Sequence, residues 1–369
     1  MAKRASVLVF DNIIYSLQRA GGISNYWYEL LSQAQLRDIP FTSFEKVNNN
    51  IFSKQAHSTQ AQAARQSESL ISAKLLRYLP FLRRLKTPSL FHSSYYRFSL
   101  QKNVANIITV YDFTYEHFTS GLTKAVHSWQ KKLAIQNSAG IICISESTKQ
   151  DLLRNYPNVD VNKIKVIHLS ASAKFFPIKS GEIPQQFKEL ARHKFVLFVG
   201  DRSPYKNFDQ AVEATRSLST MSLVVVGSKA FSQAELAQLK DLRHRVHLFK
   251  GVEPSALNWL YNNAFCLLYP SRYEGFGIPV LEAMRAGCPV VSTRLSSIPE
   301  VAGSAALLVD EPVAGQFSDK MKLLVDVEFR DELIKKGLEQ ALKFSWDRCF
   351  EETLSFYEEV WNREFLENS

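Results

Sequence analysis

Short apolar runs recurring between helical stretches limit what this chain can fold into more than any other feature. Residues 6–10, 107–111, 140–144 and 164–168 are such runs. After Phe175-Phe176-Pro177 the alternation starts again, with Phe195 to Gly200, Leu223 to Gly227, Arg245 to Phe249, Ala264 to Tyr269, Pro289 to Ser292 and a last run from Ala305 to Val309. Strands covered by helices on both faces read as continuous apolar runs, and β–α alternation is the pattern of a parallel sheet. At 369 residues the chain also exceeds what one core usually serves. The expectation is an α/β protein of two Rossmann-like, doubly wound domains facing across a cleft, spanning residues 1–176 and 177–345. The hinge is expected near residues 174–184, which hold Pro177, Gly181 and Pro184. Beyond it, Phe350, Leu354, Tyr357 and Val360 recur at helical spacing, so a final helix over residues 346–369 is expected. The stretch Asn48 to Ser69, rich in Asn, Gln, Ser and Ala, is expected to form a mobile loop. No fixed-period repeat occurs, which argues against a solenoid.

Charge narrows the class of partner. Residues 1–175 carry 22 Lys plus Arg against 10 Asp plus Glu, a net +12, while the remainder carries 23 against 26, a net −3. A basic half suits a nucleic acid or an anionic membrane face. No helix-turn-helix, RRM or zinc pattern supports the first, so no nucleic acid is expected. The segment Leu75-Leu76-Arg77-Tyr78-Leu79-Pro80-Phe81-Leu82-Arg83-Arg84-Leu85-Lys86 mixes apolar bulk with cations and favours an anionic lipid surface. Its alternative is a helix covering the sheet, with Pro80 interrupting it. No run of about 18 apolar residues appears, and Met1-Ala2-Lys3-Arg4 leads straight into a strand. The expected location is cytoplasmic, peripheral on the inner face of the plasma membrane. Cys143, Cys266, Cys288 and Cys349 lack metal-ligand spacing and are expected as buried free thiols.

The chemistry concentrates in Ser271 to Val291, Ser-Arg-Tyr-Glu-Gly-Phe-Gly-Ile-Pro-Val-Leu-Glu-Ala-Met-Arg-Ala-Gly-Cys-Pro-Val-Val. The preceding run is a strand, Pro279 suits the start of a helix, and Gly287 closes that helix. Gly275 and Gly277, around Phe276, let the backbone approach a ligand. The helix opening at about Pro279, just after Ile278, aims unpaired N–H groups into the same space. Glu274 beside the turn and Glu282 inside the helix can accept hydrogen bonds from hydroxyls, so a sugar or ribose bearing a phosphate suits the site. Two glutamates at this spacing are otherwise ordinary turn and helix residues.

Further candidates sit at strand exits, where doubly wound sheets bind ligands. Asp201-Arg202-Ser203-Pro204-Tyr205-Lys206-Asn207 follows the run ending at Gly200, placing Arg202 and Lys206 at that edge. Gly227 and Lys250-Gly251-Val252 follow the next two runs, where turn glycines serve equally well. Gly21-Gly22 lies between the first strand and its helix, and paired glycines let backbone amides face a phosphate. Asp112 follows Tyr111 and can bind an acceptor hydroxyl. His117 reads as a surface histidine. Ser145-Glu146-Ser147-Thr148 reads as a helix N-cap.

The turn, the proline-started helix and the Gly-Cys-Pro-Val-Val exit together resemble the donor-binding signature of the retaining glycosyltransferases of family four, which have the glycosyltransferase B-type fold. The resemblance covers most of the chain and is densest from Phe198 to Glu300. It implies that Arg202 and Lys206 clasp the donor diphosphate and that Gly21 and Gly22 lie beside it. Gly227 and Val252 would line the nucleobase pocket and Glu282 would accept from the ribose. It also implies that Glu274 faces the transferred sugar, that Asp112 belongs to the catalytic set, and that the last helix crosses back onto the first domain. The family often has His-Asp where this chain has Tyr111-Asp112, which leaves the role of that histidine without a match.

No Asp-x-Asp occurs, so neither metal nor cofactor is required by this reading. The implied activity is metal-independent, retaining transfer of a hexose-type sugar, mannosyl- or rhamnosyl-like, from a nucleoside diphosphate donor to a cell-surface polysaccharide or lipid-linked glycan precursor. A sugar-nucleotide epimerase of similar fold, or a non-catalytic nucleotide-sugar or nucleic-acid binding protein, are the alternatives.

Overall fold

A computed structural model describes residues 7–59, 64–67, 72–179 and 182–367. Met1 to Arg4, the start of the first expected strand, Gly181 of the expected hinge and part of the 48–69 stretch lie outside these residues. The described chain forms two compact units. One comprises Met1–Leu169 with Trp346–Ser369, the other Ser170–Ser345. The first division falls at Leu169, ahead of the expected Phe176.

The first unit holds a seven-stranded parallel sheet. Its strands are β1 (Val7–Asp11), β2 (Phe41–Glu45), β3 (Ala64–Ser67), β4 (Ser89–Ser93), β5 (Val104–Val110), β6 (Gly140–Cys143) and β7 (Ile164–Val166), in spatial order β3-β2-β1-β4-β5-β6-β7. Order reverses between β1 and β4, the switch point at whose carboxyl edge such sheets open for ligands. There Asp11 stands opposite Ser93.

Three of these strands were not expected. β4, Ser-Leu-Phe-His-Ser, is fully buried yet carries three polar residues, so it offers no apolar run. Its polar groups are satisfied internally: His92 lies 2.5 Å from the Tyr357 hydroxyl and 3.0 Å from Thr109 Oγ1, and Ser93 donates to Asp11 at 2.8 Å. Burial without a charged partner pushes the His92 pKa down to about 3, so the ring is neutral. In place of the expected loop over 48–69 stand a helix, Ile51–Thr59, and the edge strand β3.

The helix Trp346–Phe365 packs against the helix Gly22–Leu36, burying Trp346, Phe350, Phe356, Tyr357 and Val360. Arg37, just past the end of the helix Gly22–Leu36, pairs with Asp347 and Glu351 in the first turns of the last helix and rests over the Phe350 ring.

The second unit is a six-stranded parallel sheet of β8 (Phe195–Val199), β9 (Ser222–Val226), β10 (Val246–Phe249), β11 (Cys266–Tyr269), β12 (Val290–Thr293) and β13 (Leu307–Val309), in order β10-β9-β8-β11-β12-β13. Its switch point lies between β8 and β11. Val196, Phe198, Leu223, Val225, Leu268 and Val291 form its core with Ala211, Val212 and Phe317 of the covering helices. All six strands coincide with apolar runs of the sequence. The four cysteines are free and buried.

Candidate functional site

At the switch point of the second unit, the exits of β8 and β11 are tied together. Asn207, in the left-handed region at φ +50°, donates from Nδ2 to the Pro270 carbonyl at 2.8 Å, and Arg272 N–H bonds the Tyr205 carbonyl at 2.8 Å. This holds Lys206 beside the turn after β11, and its ammonium meets Glu274 Oε1 at 2.6 Å. Each of the two side chains is 11% exposed. The Tyr269 hydroxyl lies 3.4 Å from the same ammonium.

The turn is pinned from behind. Ser297 Oγ donates to the carbonyls of Glu274 and Phe276, both at 2.9 Å, and Ser296 N-terminal to it binds the Glu274 backbone. Gly277 adopts φ +100°, where an added Cβ would meet Ile298 Cδ1 at 2.9 Å, so no other residue fits without strain. It caps the helix Ile278–Arg285, with Pro279 in its first turn. The first N–H groups of that helix therefore emerge next to the Lys206–Glu274 pair. Glu282 follows on the helix, half-buried, accepting from the Tyr261 hydroxyl at 2.9 Å. Desolvation raises its carboxyl to about 7, against which the Tyr261 hydrogen bond acts.

Arg202 takes a different course from Lys206. Its Nε meets Glu235 Oε1 at 2.5 Å, and one terminal nitrogen donates to the carbonyls of Lys229 and Ala230 at 3.2 and 2.7 Å. The guanidinium lies over the Phe231 ring at 4.8 Å, and the side chain is 6% exposed. These bonds form one wall of a hollow of about 370 Å³ lined also by Asp201, Ser203, Ser228 and Ser232. Gly227 at the β9 exit faces the same wall: a Cβ there would stand 3.0 Å from the Gly200 carbonyl. Val252 follows Gly251, which has φ +63°, on the loop after β10.

The remaining candidates belong to the first unit. Gly22 starts the helix Gly22–Leu36, and Gly21 is its N-cap. Near that end Gln18 donates to Ser24 Oγ and Ser24 to the Gly21 carbonyl. Asp112 follows β5 half-buried. One carboxylate oxygen accepts from the Thr114 N–H at 3.2 Å, and its carbonyl accepts from Lys131 Nζ at 2.8 Å. Tyr111 is buried, and its hydroxyl donates to the Ser94 carbonyl at 3.3 Å. That phenol is spent in the core. His117 lies 3.4 Å from Asp151, and Ser145 accepts from the Thr148 N–H as a helix N-cap.

The structure thus joins Lys206, Glu274, Gly275, Phe276, Gly277 and Ile278 at one locus, with Glu282 along the same helix, and gives Arg202 a partner of its own. Sequence reasoning missed that partner. The signal was present: Ser232-Gln-Ala-Glu235 is a capping box, and both of its reciprocal bonds form. Nothing local shows that Glu235 also reaches Arg202. Tyr261, Ser296 and Ser297 likewise read as ordinary residues until the fold brings them to the turn.

Comparison with known proteins locates the chain. The model of the family described as Glycosyl transferases group 1 matches residues 180–340. O-antigen chain mannosyltransferase B of Escherichia coli is 31% identical over 231 residues, covering 59% of this chain and 60% of that protein. O-antigen chain mannosyltransferase RfbU of Salmonella typhimurium is 29% identical over 208 residues, 55% of this chain and 56% of that protein. The matches thus span somewhat over half the length of these relatives. Among solved structures, Anabaena HepE in complex with UDP and glucose superposes with a TM-score of 0.73 at 14% identity, covering 96% of this chain and 99% of that one. The fold is therefore that of the glycosyltransferase B type, and residues 180–340, within the second unit, are similar to the glycosyl transferases group 1.

Proposed function

We propose that this chain is a retaining, metal-independent glycosyltransferase that moves a hexose-type sugar from a nucleoside diphosphate donor to a lipid-linked or cell-surface glycan precursor. The observation that carries this reading is the Lys206–Glu274 pair held at 2.6 Å against the opening turn of the helix Ile278–Arg285. A diphosphate entering there attracts the ammonium and the helix N–H groups together. Lys206 then leaves Glu274, whose carboxylate turns to the sugar as positive charge develops on its ring. The C1–O bond breaks with its electron pair on the diphosphate, and the acceptor oxygen forms the new bond on the same face. Its proton passes to the leaving phosphate. Glu282 accepts from the ribose. The relatives named mannosyltransferases support a mannosyl- or rhamnosyl-like donor sugar.

The membrane is the second partner in this reading. Among the described residues no helix is long and apolar enough to cross one. In the basic segment after the short helix Ala73–Leu76, Leu76 and Phe81 turn inward. Leu75, Tyr78, Leu79 and Leu82 are exposed beside exposed Arg83, Arg84 and Lys86. Such a surface suits anionic lipid at the inner face of the plasma membrane.

The deciding experiment incubates the protein with a panel of nucleoside diphosphate sugars and follows free nucleoside diphosphate, with and without a mannan-type oligosaccharide acceptor and with EDTA throughout. Release that depends on acceptor and survives EDTA is expected. Conversion of the donor without acceptor would indicate an epimerase, binding without turnover a non-catalytic protein, and loss rescued by magnesium or manganese a metal-dependent enzyme. Vesicles containing anionic lipid are expected to sediment the wild type, and less of a variant neutralised at Arg83, Arg84 and Lys86. Equal sedimentation would remove the membrane from this reading.

A further inference from the structure

The amino edge of the first sheet, opposite its strand exits, carries a hollow of about 750 Å³ between residues 82–86 and 101–103. Its size falls within the range of small-molecule sites. β4 begins at Ser89 and β5 at Val104, and these two residues pair in register, so both segments reach the sheet at the same edge. The seven residues of β5 separate this edge from Asp112, a span of about 20 Å. The hollow therefore lies apart from the strand exits of this unit.

Two amide side chains hold its walls together. Gln101 accepts from the Leu85 N–H and donates to the Arg83 carbonyl, both at 2.8 Å. Asn103 Nδ2 donates to the carbonyls of Leu85 and Thr87 at 2.9 and 3.1 Å. Along the clasped segment the side chains divide. Arg83 lies over the Phe44 ring at 5.6 Å, and Leu85 packs against the core of Phe44, Phe81 and Phe91. Arg84, Lys86 and Lys102 are exposed and line the hollow. Among the described residues none of these three cations has an ion-pair or hydrogen-bond partner, and no carboxylate lines the hollow.

Three cations around one hollow with no counter-charge make a positive potential that selects an anion. A guanidinium fork and two ammonium point charges suit the several oxygens of a phosphate. A terminal phosphate, with up to two charges, matches them better than the single charge of a phosphodiester. The rim adds a second requirement. Leu82, 73% exposed, lines the same hollow, and Leu100, 67% exposed, stands next to Gln101 in the chain. A free phosphate offers these apolar surfaces nothing, whereas a lipid phosphate brings acyl carbon to cover them.

We propose that this hollow, with Arg84, Lys86 and Lys102, is a headgroup site for a lipid that ends in a phosphomonoester. It rests on the membrane part of the function proposed above, which needs only spread positive charge, and adds one place for one headgroup.

The probe is dihexanoyl phosphatidic acid, kept below its micelle concentration and followed by calorimetry. Saturable binding of one molecule is expected. Arg84→Gln, Lys86→Gln and Lys102→Gln together are expected to weaken it about tenfold, while the same charge removed elsewhere on the first unit, from exposed Arg19, Lys54 and Lys132, changes it less than about twofold. Gln101→Ala with Asn103→Ala removes no charge but unclasps the wall, and is expected to weaken binding about threefold. Equal weakening in the two charge variants, or wild-type affinity in the unclasped one, would reduce the hollow to surface charge and overturn the proposal. Inorganic phosphate binding as tightly as the probe would make this a site for free phosphate, and dihexanoyl phosphatidylglycerol binding as tightly would remove the preference for a terminal phosphate; either result overturns it. Sedimentation with phosphatidic acid vesicles separates the two readings. Wild type and hollow variant sedimenting alike would leave membrane docking standing without this site, whereas saturable binding of the soluble probe with no sedimentation would keep the site and remove the membrane.

Discussion

The carboxyl edges of the two sheets solve the same topological problem with opposite electrostatics. In the second unit the charged side chains at the strand exits are paired with each other, Lys206 with Glu274 and Arg202 with Glu235. In the first unit the charge at the β1 exit is turned into the core. Asp11 pairs with Arg97 at 3.1 Å with both side chains almost wholly buried. A ligand of the second unit therefore exchanges ion pairs, so its binding is expected to weaken with salt. The Asp11–Arg97 pair, shut away from solvent, is screened little by salt. The contrast separates charges placed to be exchanged from charges locked inside.

The largest expected effect tests the inward charge. Arg97→Leu removes the buried counter-charge of the Asp11 carboxylate, and is expected to cost about 3–5 kcal/mol of stability. A denaturant titration showing less than about 1 kcal/mol would mean that the first unit carries no inward charge of consequence.

Next comes the pair itself. Glu274→Gln is expected to lower kcat on the order of 100-fold while nucleoside diphosphate affinity holds or improves, because Lys206 is released. Turnover at the wild-type level would reduce this site to a binding surface.

Lys206→Ala is expected to weaken nucleoside diphosphate binding by about 1.5–3 kcal/mol in calorimetry. Arg202→Ala, whose guanidinium is already committed, is expected to show instead a lowered melting temperature and a smaller loss of affinity. Equal affinity losses in both would show that Arg202 leaves Glu235 for the phosphate and would erase the distinction drawn between them.

Glu282 sharpens the comparison by pH. Its carboxyl is raised from the ordinary 4.5 to about 7 in the fold. The protonated form is favoured there, so its contribution to stability is complete below about 4.5 and is lost as pH rises toward 7 and above. Glu282→Gln, permanently neutral, is expected to melt like wild type at pH 4.5 and to gain up to about 2 kcal/mol relative to it at pH 8. Parallel melting curves across that range would place the carboxylate in water.

The second unit was legible in the sequence because its determinants are local. Six apolar runs gave six strands, and Gly277, Pro279 and Gly287 fall within one turn–helix segment whose geometry they dictate. The first unit was less so. β4 owes its burial to partners at Asp11, Thr109 and Tyr357, far along the chain, and its own residues Ser89, His92 and Ser93 look like a loop. Lys206 and Arg202 looked equivalent at four residues' distance. Only the capping-box glutamate, carried to Arg202 by the fold, tells them apart.

The return of the last helix to the first unit sets an order of assembly. As the chain leaves the ribosome, residues 1–169 emerge first but cannot finish their core. The helix Gly22–Leu36 lacks its cover, and His92 lacks the Tyr357 hydroxyl until residues 346–365 have been made. Residues 170–345 meanwhile carry a complete sheet and can close on their own. The unit synthesised first is therefore completed last, inverting the usual N-terminal-first sequence and leaving an apolar flank open through the making of the whole second unit. For this protein, the vulnerable interval in the cell is set by the length of the inserted unit rather than by the difficulty of either fold.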